Sequence, residues 1–285
     1  MEHVQRTVRT EESPELREPS EDDGTQSFDE EGDVEVLRTW RAMCPELQET
    51  WPEDEEPEGW KGVTMEDGRV VKLVLEEFGL TGAVPAEIGR LSALRTLDLD
   101  NSSLTSLPAE IGQLTSLREL NLRDNRLKSV PAEVGQLTSL RRLDLADNQL
   151  TSVPAEIGQL TSLKKLYLSG NQLTSLPAEI WQLTDLEELG LYNNQLTSVP
   201  AEIGQLTSLK KFSISHNQLT SLPAEIGQLT SLRELYLNDN QLTSVPAAAI
   251  RELEAAGCYV SLDDDDDETR PRGAWLVGGS IVYYT

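Results

Sequence analysis

The sequence predicts an α/β solenoid: a curved stack of short units, with a parallel β-sheet on the concave face and short helical turns on the convex side. Three observations carry this. First, the stretch from Leu117 to Pro131, L-R-E-L-N-L-R-D-N-R-L-K-S-V-P, returns 23 residues later at Leu140. It returns again at Leu163, Leu186, Leu209 and Leu232, with an earlier copy at Leu94. A fixed period of this length marks an array in which each unit buries its apolar side only against its neighbours. Second, every copy holds an L-x-L segment whose alternation suits a short strand, so that Leu120, Leu122 and their equivalents point inward. Third, the return segment, L-T-S-[LV]-P-A-E-[IV]-G-Q-L, barely changes from copy to copy. Its Pro fixes the backbone, and its Gly is expected to end a short helical turn.

The pattern L-x-x-L-x-L-x-x-N-x-L is similar to the signature of leucine-rich repeat proteins, over roughly Val70 to Leu262. The resemblance implies a leucine-rich-repeat horseshoe. The return segment, with L-P-x-x-I-G-x-L, resembles the plant intracellular Ras-group-related family and its animal Ras-scaffold relatives. Those relatives imply a cytoplasmic protein-binding scaffold.

The flanks are read from the N-terminus onward. Residues 1–32 are acidic and poor in apolar side chains, which predicts a disordered tail. Residues 33–69 form an N-terminal cap of a helix plus a hairpin. Asp33 is expected to be the helix N-cap. Val36, Leu37, Trp40, Met43, Cys44 and Leu47 share an apolar face, and Pro45 limits the helix. Gly59-Trp60-Lys61-Gly62-Val63-Thr64, then Gly68-Arg69-Val70, resembles the cap of plant receptor-type repeat proteins, as does Leu80-Thr81-Gly82-Ala83-Val84-Pro85. The cysteine pair of such caps is missing, with Glu58 and Met65 in its place. A cap built without a disulfide suits a reducing compartment.

Residues 70–245 hold eight repeats, and seven strand-to-strand steps give a face about 34 Å long. The ninth position is Asn125, Asn148, Asn171, Asn194, Asn217 and Asn240 in six units. These should form a structural column of buried amides that satisfies backbone groups where each strand turns away. Phe78 and Ser102 break the column in the early units. Residues 246–262 read as a C-terminal cap, a helix followed by a strand with Cys258, Val260 and Leu262 inward. Residues 263–285 are an acid run followed by an apolar tail, A-W-L-V-G-G-S-I-V-Y-Y-T, which either folds back as an edge strand or adds to a partner sheet.

Charge and composition exclude several classes. The net charge is −26, and residues 1–69 alone carry 22 acidic against 7 basic side chains. That balance argues against nucleic acid and against anionic membrane surfaces. No apolar run approaches the ~20 residues of a membrane span, so no membrane insertion is expected. Met1 to Ser20 has no apolar core, so no secretory signal is expected. Cys44 and Cys258 are far apart and form no disulfide framework. With His3 and His216 the only histidines, no metal site, cofactor or catalytic constellation is expected, and the chain reads as no enzyme. A cytoplasmic monomer is the expectation.

Candidate binding residues come from comparing units. Strand positions vary while return positions do not. The central outward position runs Val74, Asp98, Asn121, Asp144, Tyr167, Gly190, Ser213, Tyr236. The partner-binding set is Tyr167, Tyr192, Tyr236, His216, Asn193, Asp124, Asp147 and Asp239, because exposed tyrosines anchor interfaces and charges orient them. A second row, Arg95, Arg118, Arg141, Lys164, Glu187, Lys210, Arg233, is basic at six of seven places. That ridge suits an acidic partner segment, which includes the chain's own acidic N-terminus. The function implied is a non-catalytic scaffold binding a protein or peptide on the concave face, with signalling partners implied by the resemblance. Two alternatives stay open: an extracellular recognition receptor, which the sequon Asn101-Ser102-Ser103 would permit, and a regulatory subunit acting through its tails.

Overall fold

The computed structural model describes residues 25–262, 274–277 and 280–283. Helix α1 (Thr25–Met43) and helix α2 (Pro45–Thr50) lead into hairpin β1 (Val63–Glu66) and β2 (Arg69–Val74). Strands β3 (Thr81–Ala83), β4 (Thr96–Asp98), β5 (Ser103–Ser106), β6 (Glu119–Asn121), β7 (Arg142–Asp144) and β8 (Lys165–Tyr167) follow. Then come β9 (Glu188–Gly190), β10 (Lys211–Ser213), β11 (Glu234–Tyr236), α3 (Ala247–Ala255) and β12 (Tyr259–Ser261). Strands β13 (Ala274–Val277) and β14 (Ser280–Tyr283) pair antiparallel in a two-stranded sheet of their own.

Ten strands make the main sheet, in the order β1-β2-β4-β6-β7-β8-β9-β10-β11-β12. Only β1 runs antiparallel; the others align leucine on leucine, as in Leu97↔Leu120 and Leu143↔Leu166. Between strands, each A-E-[IV]-x-Q segment is a five-residue 3-10 helix that starts directly after its proline. The leucines between these two layers are wholly buried, among them Leu117, Leu120, Leu122 and Leu127. Each contributes roughly 1.5–3 kcal/mol, and the column runs unbroken from the cap to β12.

The turn glycines act differently from the expectation. They sit inside the 3-10 helix rather than at its end, and none of them has a positive φ. Their missing side chain is what matters. A Cβ on Gly112 would lie 2.6 Å from the Glu133 carbonyl oxygen, and one on Gly135 2.5 Å from that of Glu156. Glycine therefore lets neighbouring convex turns touch.

The cap also departs from the sequence reading. Thr25–Gly32 belongs to α1, so the tail expected to be disordered over 1–32 ends earlier; residues 1–24 lie outside the described residues. Asp33 is inside the helix and not its N-cap. It is 1% exposed and accepts hydrogen bonds from the Val70 N–H at 2.9 Å and the Arg69 guanidinium at 3.1 Å. Met43 is not on the buried face; it is 57% exposed. Pro45 does end α1, since it opens α2 at its first position. Trp51 and Trp60 stack with centroids 4.7 Å apart, and each indole N–H donates to a loop carbonyl, of Lys61 and Pro52 respectively. This stack fastens the loop of the cap.

In six units the ninth-position asparagine bridges backbone groups. Asn125 accepts from Leu104 N–H at 2.9 Å and donates to the Leu99 carbonyl at 2.8 Å, and Asn148 to Asn240 repeat the arrangement. At the break in the column, the Ser102 hydroxyl is buried without a partner. There a small lateral sheet, β3 with β5, closes the early units. At the far end α3 packs on the last 3-10 turn, and Cys258, Val260 and Leu262 of the final strand region are buried. The acid run at 263–268 lies outside the described residues.

Candidate binding site on the concave face

Side chains at the outward strand positions project from the concave sheet, and the variable residues there form one connected polar surface. Tyr167 is its centre. Its ring lies under the Arg142 guanidinium, 4.6 Å from the centroid, and its hydroxyl donates to Glu188 of the next unit at 2.5 Å. Burial and the Glu188 carboxylate push the Tyr167 phenol up to about 12. Burial raises Glu188 too, but hydrogen bonds from Lys165 and Tyr167, with the charges of Lys165 and Lys211, outweigh it and hold that carboxyl below its ordinary value. Tyr236 repeats the device three strands on: Lys211 lies 5.3 Å over its ring, and its hydroxyl donates to Glu234 at 3.1 Å.

Beside Tyr167, a Cβ on Gly190 would come 3.1 Å from Tyr167 Cδ1 and 3.2 Å from Ser169 Oγ, so glycine lets this strand pack closely against the Tyr167 ring. A depression of about 330 Å³ is lined by Arg123, Arg142, Asp144, Ala146, Asp147, Tyr167, Ser169 and Tyr192. Its floor carries Asp144, 4% exposed, which accepts from Arg142 at 2.7 Å and from the Ala146 N–H at 3.2 Å. Burial outweighs Arg142 and raises the Asp144 carboxyl. Arg123 pairs with Asp147 at 3.1 Å across the rim. The result is an amphiphilic dent with cations, carboxylates and two aromatic rings, of the kind that takes a polar peptide segment with one or two side-chain anchors.

Of the sequence-derived set, the depression unites Tyr167, Tyr192 and Asp147. Tyr192 is 44% exposed and meets His216 edge-on at 4.8 Å, and His216 Nε2 lies 2.9 Å from Asp239. Tyr236 stands apart, 5.9 Å from Tyr259 of the C-terminal strand. Asp124, Asp147, Asn193, His216 and Asp239 share a further property: φ is +48° to +56° at all five. Asn101 has φ +50° and Gly170 +66° at the same place in their units. Asp, Asn, His and Gly are the residues that enter this region most readily. Their residue type therefore answers first to the turn that ends each strand.

The basic ridge is partly neutralised. Arg95 pairs with Glu66 of the cap hairpin at 2.7 Å. Glu187, the one acid in the row, lies between its neighbours and pairs with Lys210 at 2.5 Å and Lys164 at 3.7 Å. The Lys210 hydrogen bond holds the Glu187 carboxyl below its ordinary value. Among the described residues, Arg118, Arg141 and Arg233 carry no ion pair. The acidic N-terminal segment that could cover them lies outside the described residues.

Sequence reading missed Arg123, Arg142 and Ser169 as site residues. No group of three or more His, Cys, Asp or Glu among the described residues could hold a metal ion, and no described helix is long and apolar enough to cross a membrane.

Comparison with known proteins matches residues 69–170 and 133–254 to the model of a leucine-rich repeat region. A leucine-rich repeat protein of Leptospira interrogans is 43% identical, with a TM-score of 0.61 over 65% of this chain and 47% of its own. The ectodomain of the Arabidopsis thaliana membrane receptor kinase GASSHO1/SCHENGEN3, solved in complex with Casparian strip integrity factor 2, is 31% identical. Its TM-score is 0.70 over 81% of this chain and 29% of its own. The PEPR1–AtPEP1 complex, at 23% identity and a TM-score of 0.61, shows the same fold. The chain thus spans under half of the length of the first two relatives. No curated protein matches it. The matched repeats and the horseshoe they build place this chain in the leucine-rich repeat family.

Proposed function

We propose that the chain is a non-catalytic scaffold that binds a protein or peptide on its concave face, centred on Tyr167 and Tyr192. The family is generally a binding module, and the fold supports a protein-interaction role. The observation that carries the site is the depression that Tyr167 and Tyr192 line together, where two aromatic rings, an exposed ion pair and the buried Asp144 converge. The partner segment suited to it is short and polar, with an apolar or cationic anchor that reaches between Tyr167 and Tyr192. A cytoplasmic setting and a signalling role belong to the same proposal; the two buried free thiols and the absence of a disulfide in the described cap support the setting.

A photo-crosslinking amino acid in place of Ser169 tests the site. Cross-links to a partner from Ser169, and none from the same group in place of Ser152 in the loop that leaves the concave sheet, are the expected result. Cross-links from Ser152 alone overturn it. A second reading, an extracellular recognition receptor, is favoured by one observation: the plant ectodomain at 31% identity was solved with a bound factor. Glycan at Asn101 in protein from its native source distinguishes the two settings.

A further inference from the structure

One convex turn breaks the repeat. Where the other turns have Gly89, Gly112, Gly135, Gly158, Gly204 and Gly227, the fifth convex turn (Ala178–Gln182) has Trp181. Glycine at that place brings adjacent turns into contact, so an indole there must push them apart. The turn Ala178–Gln182 and the next one, Ala201–Gln205, pack more loosely on each other than the other neighbouring turns do. Trp181 is itself 3% exposed, turned into the gap it makes. Leu176 is partly exposed, as is Val245 of the last repeat, whereas the counterparts Leu107, Val130, Val153, Val199 and Leu222 are buried.

The gap is a cleft of about 320 Å³, lined by Leu176, Trp181, Val199, Pro200 and Ile214, with Glu202 at its mouth. It is more apolar than the concave dent and lies on a different face. Its size falls in the range of pockets that hold a ligand group. Along the same side runs a column of carboxylates. Among the described residues, Glu179, Glu202 and Glu225 carry no ion pair. An apolar slot flanked by unpaired carboxylates, on a chain of net charge −26, is complementary to a basic segment presenting one apolar side chain.

We infer that the Trp181 cleft is a second binding site, which takes a leucine-sized or aromatic side chain from a cationic peptide segment. The slot supplies the specificity. Glu179, Glu202 and Glu225 attract the flanking lysines or arginines and speed the encounter. The inference does not rest on the concave reading, since no residue of one site lines the other.

The test uses the full chain and two fluorescein-labelled nonapeptides, each lysine-rich, one with a central leucine and one with a central alanine. Anisotropy at low salt reads the affinities. The wild-type chain is expected to bind the leucine peptide about tenfold more tightly than the alanine peptide. Trp181→Gly restores the residue the other turns carry and closes the slot, so it should bind the two peptides equally. Glu202→Lys should weaken both while the leucine preference remains. The double variant Tyr167→Ala with Tyr192→Ala should leave the preference unchanged. Equal binding of the two peptides by wild type, or a leucine preference that survives Trp181→Gly, overturns the inference. So does binding that is insensitive to Glu202→Lys, or no detectable binding of either peptide.

Discussion

Asp33 of the cap helix accepts the backbone N–H of Val70 at 2.9 Å, so the helix and the first parallel strand of the array share one buried carboxylate. Arg69 supplies the countercharge at 3.1 Å and also donates to the Ser92 hydroxyl at 2.9 Å. Cap, first strand and second unit are therefore tied through two side chains. Removing one partner of a buried pair leaves the other uncompensated and the Val70 N–H unsatisfied. Asp33→Ala should cost about 3 kcal/mol, read by urea unfolding. A loss below about 0.5 kcal/mol would mean that water reaches this junction.

The convex glycines give a second expectation. A Cβ at Gly135 meets the backbone of the next turn and cannot be relieved by moving a side chain. Gly135→Ala should destabilise by about 1–3 kcal/mol, although alanine suits a helical turn better than glycine on propensity alone. A neutral or stabilising result would show that the turns have room to part without cost.

The strand-end turns separate backbone need from partner contact. Asn193 has φ +55°. Asn193→Gly should stay within about 1 kcal/mol of wild type, whereas Asn193→Val should lose about 1–2 kcal/mol. Thermal melts of the two variants make the comparison. Equal stability would remove the conformational explanation for the run Asp124, Asp147, Asn193, His216, Asp239.

Burial pushes the thiols of Cys44 and Cys258 up to about 11, from an ordinary 9.0. A raised folded value means that the native state holds these protons more tightly than the unfolded chain. The associated stability is intact below about pH 9 and is lost as pH rises toward 11. The same sign applies to Tyr167, over the window from about 10 to 12. At pH 8 iodoacetamide should label neither cysteine in the folded chain and both in urea. Rapid labelling of the native chain would contradict their burial.

Much of the fold was legible because a solenoid repeats its constraints. Leu120, Asn125 and Pro131 each occur once per period, and stacking leaves each a single role. The readings that failed concern contacts between units or between cap and array. Asp33 has the residue type of an N-cap, yet its partners, Arg69 and Val70, lie 36 and 37 residues away. Gly112 has the residue type of a helix terminator, but its neighbour is Glu133 of the next turn. Trp181 was visible as the one departure from glycine at the fourth place of the A-E-[IV]-G turns, and its meaning depended on knowing that glycine there sets the spacing of the turns. The tyrosines were found by exposure and residue type, but which of them share a site depended on the depression that Tyr167 and Tyr192 line together.

The most direct measurement of the central claim is a paired capture from native lysate, with the wild-type chain and with Tyr167→Ala plus Tyr192→Ala as baits, both checked for equal melting temperature. The concave-face account predicts a partner retained by wild type and lost by the double variant, with binding returned by Tyr167→Phe plus Tyr192→Phe. A partner held equally by wild type and the alanine variant would contradict it and place recognition on another face.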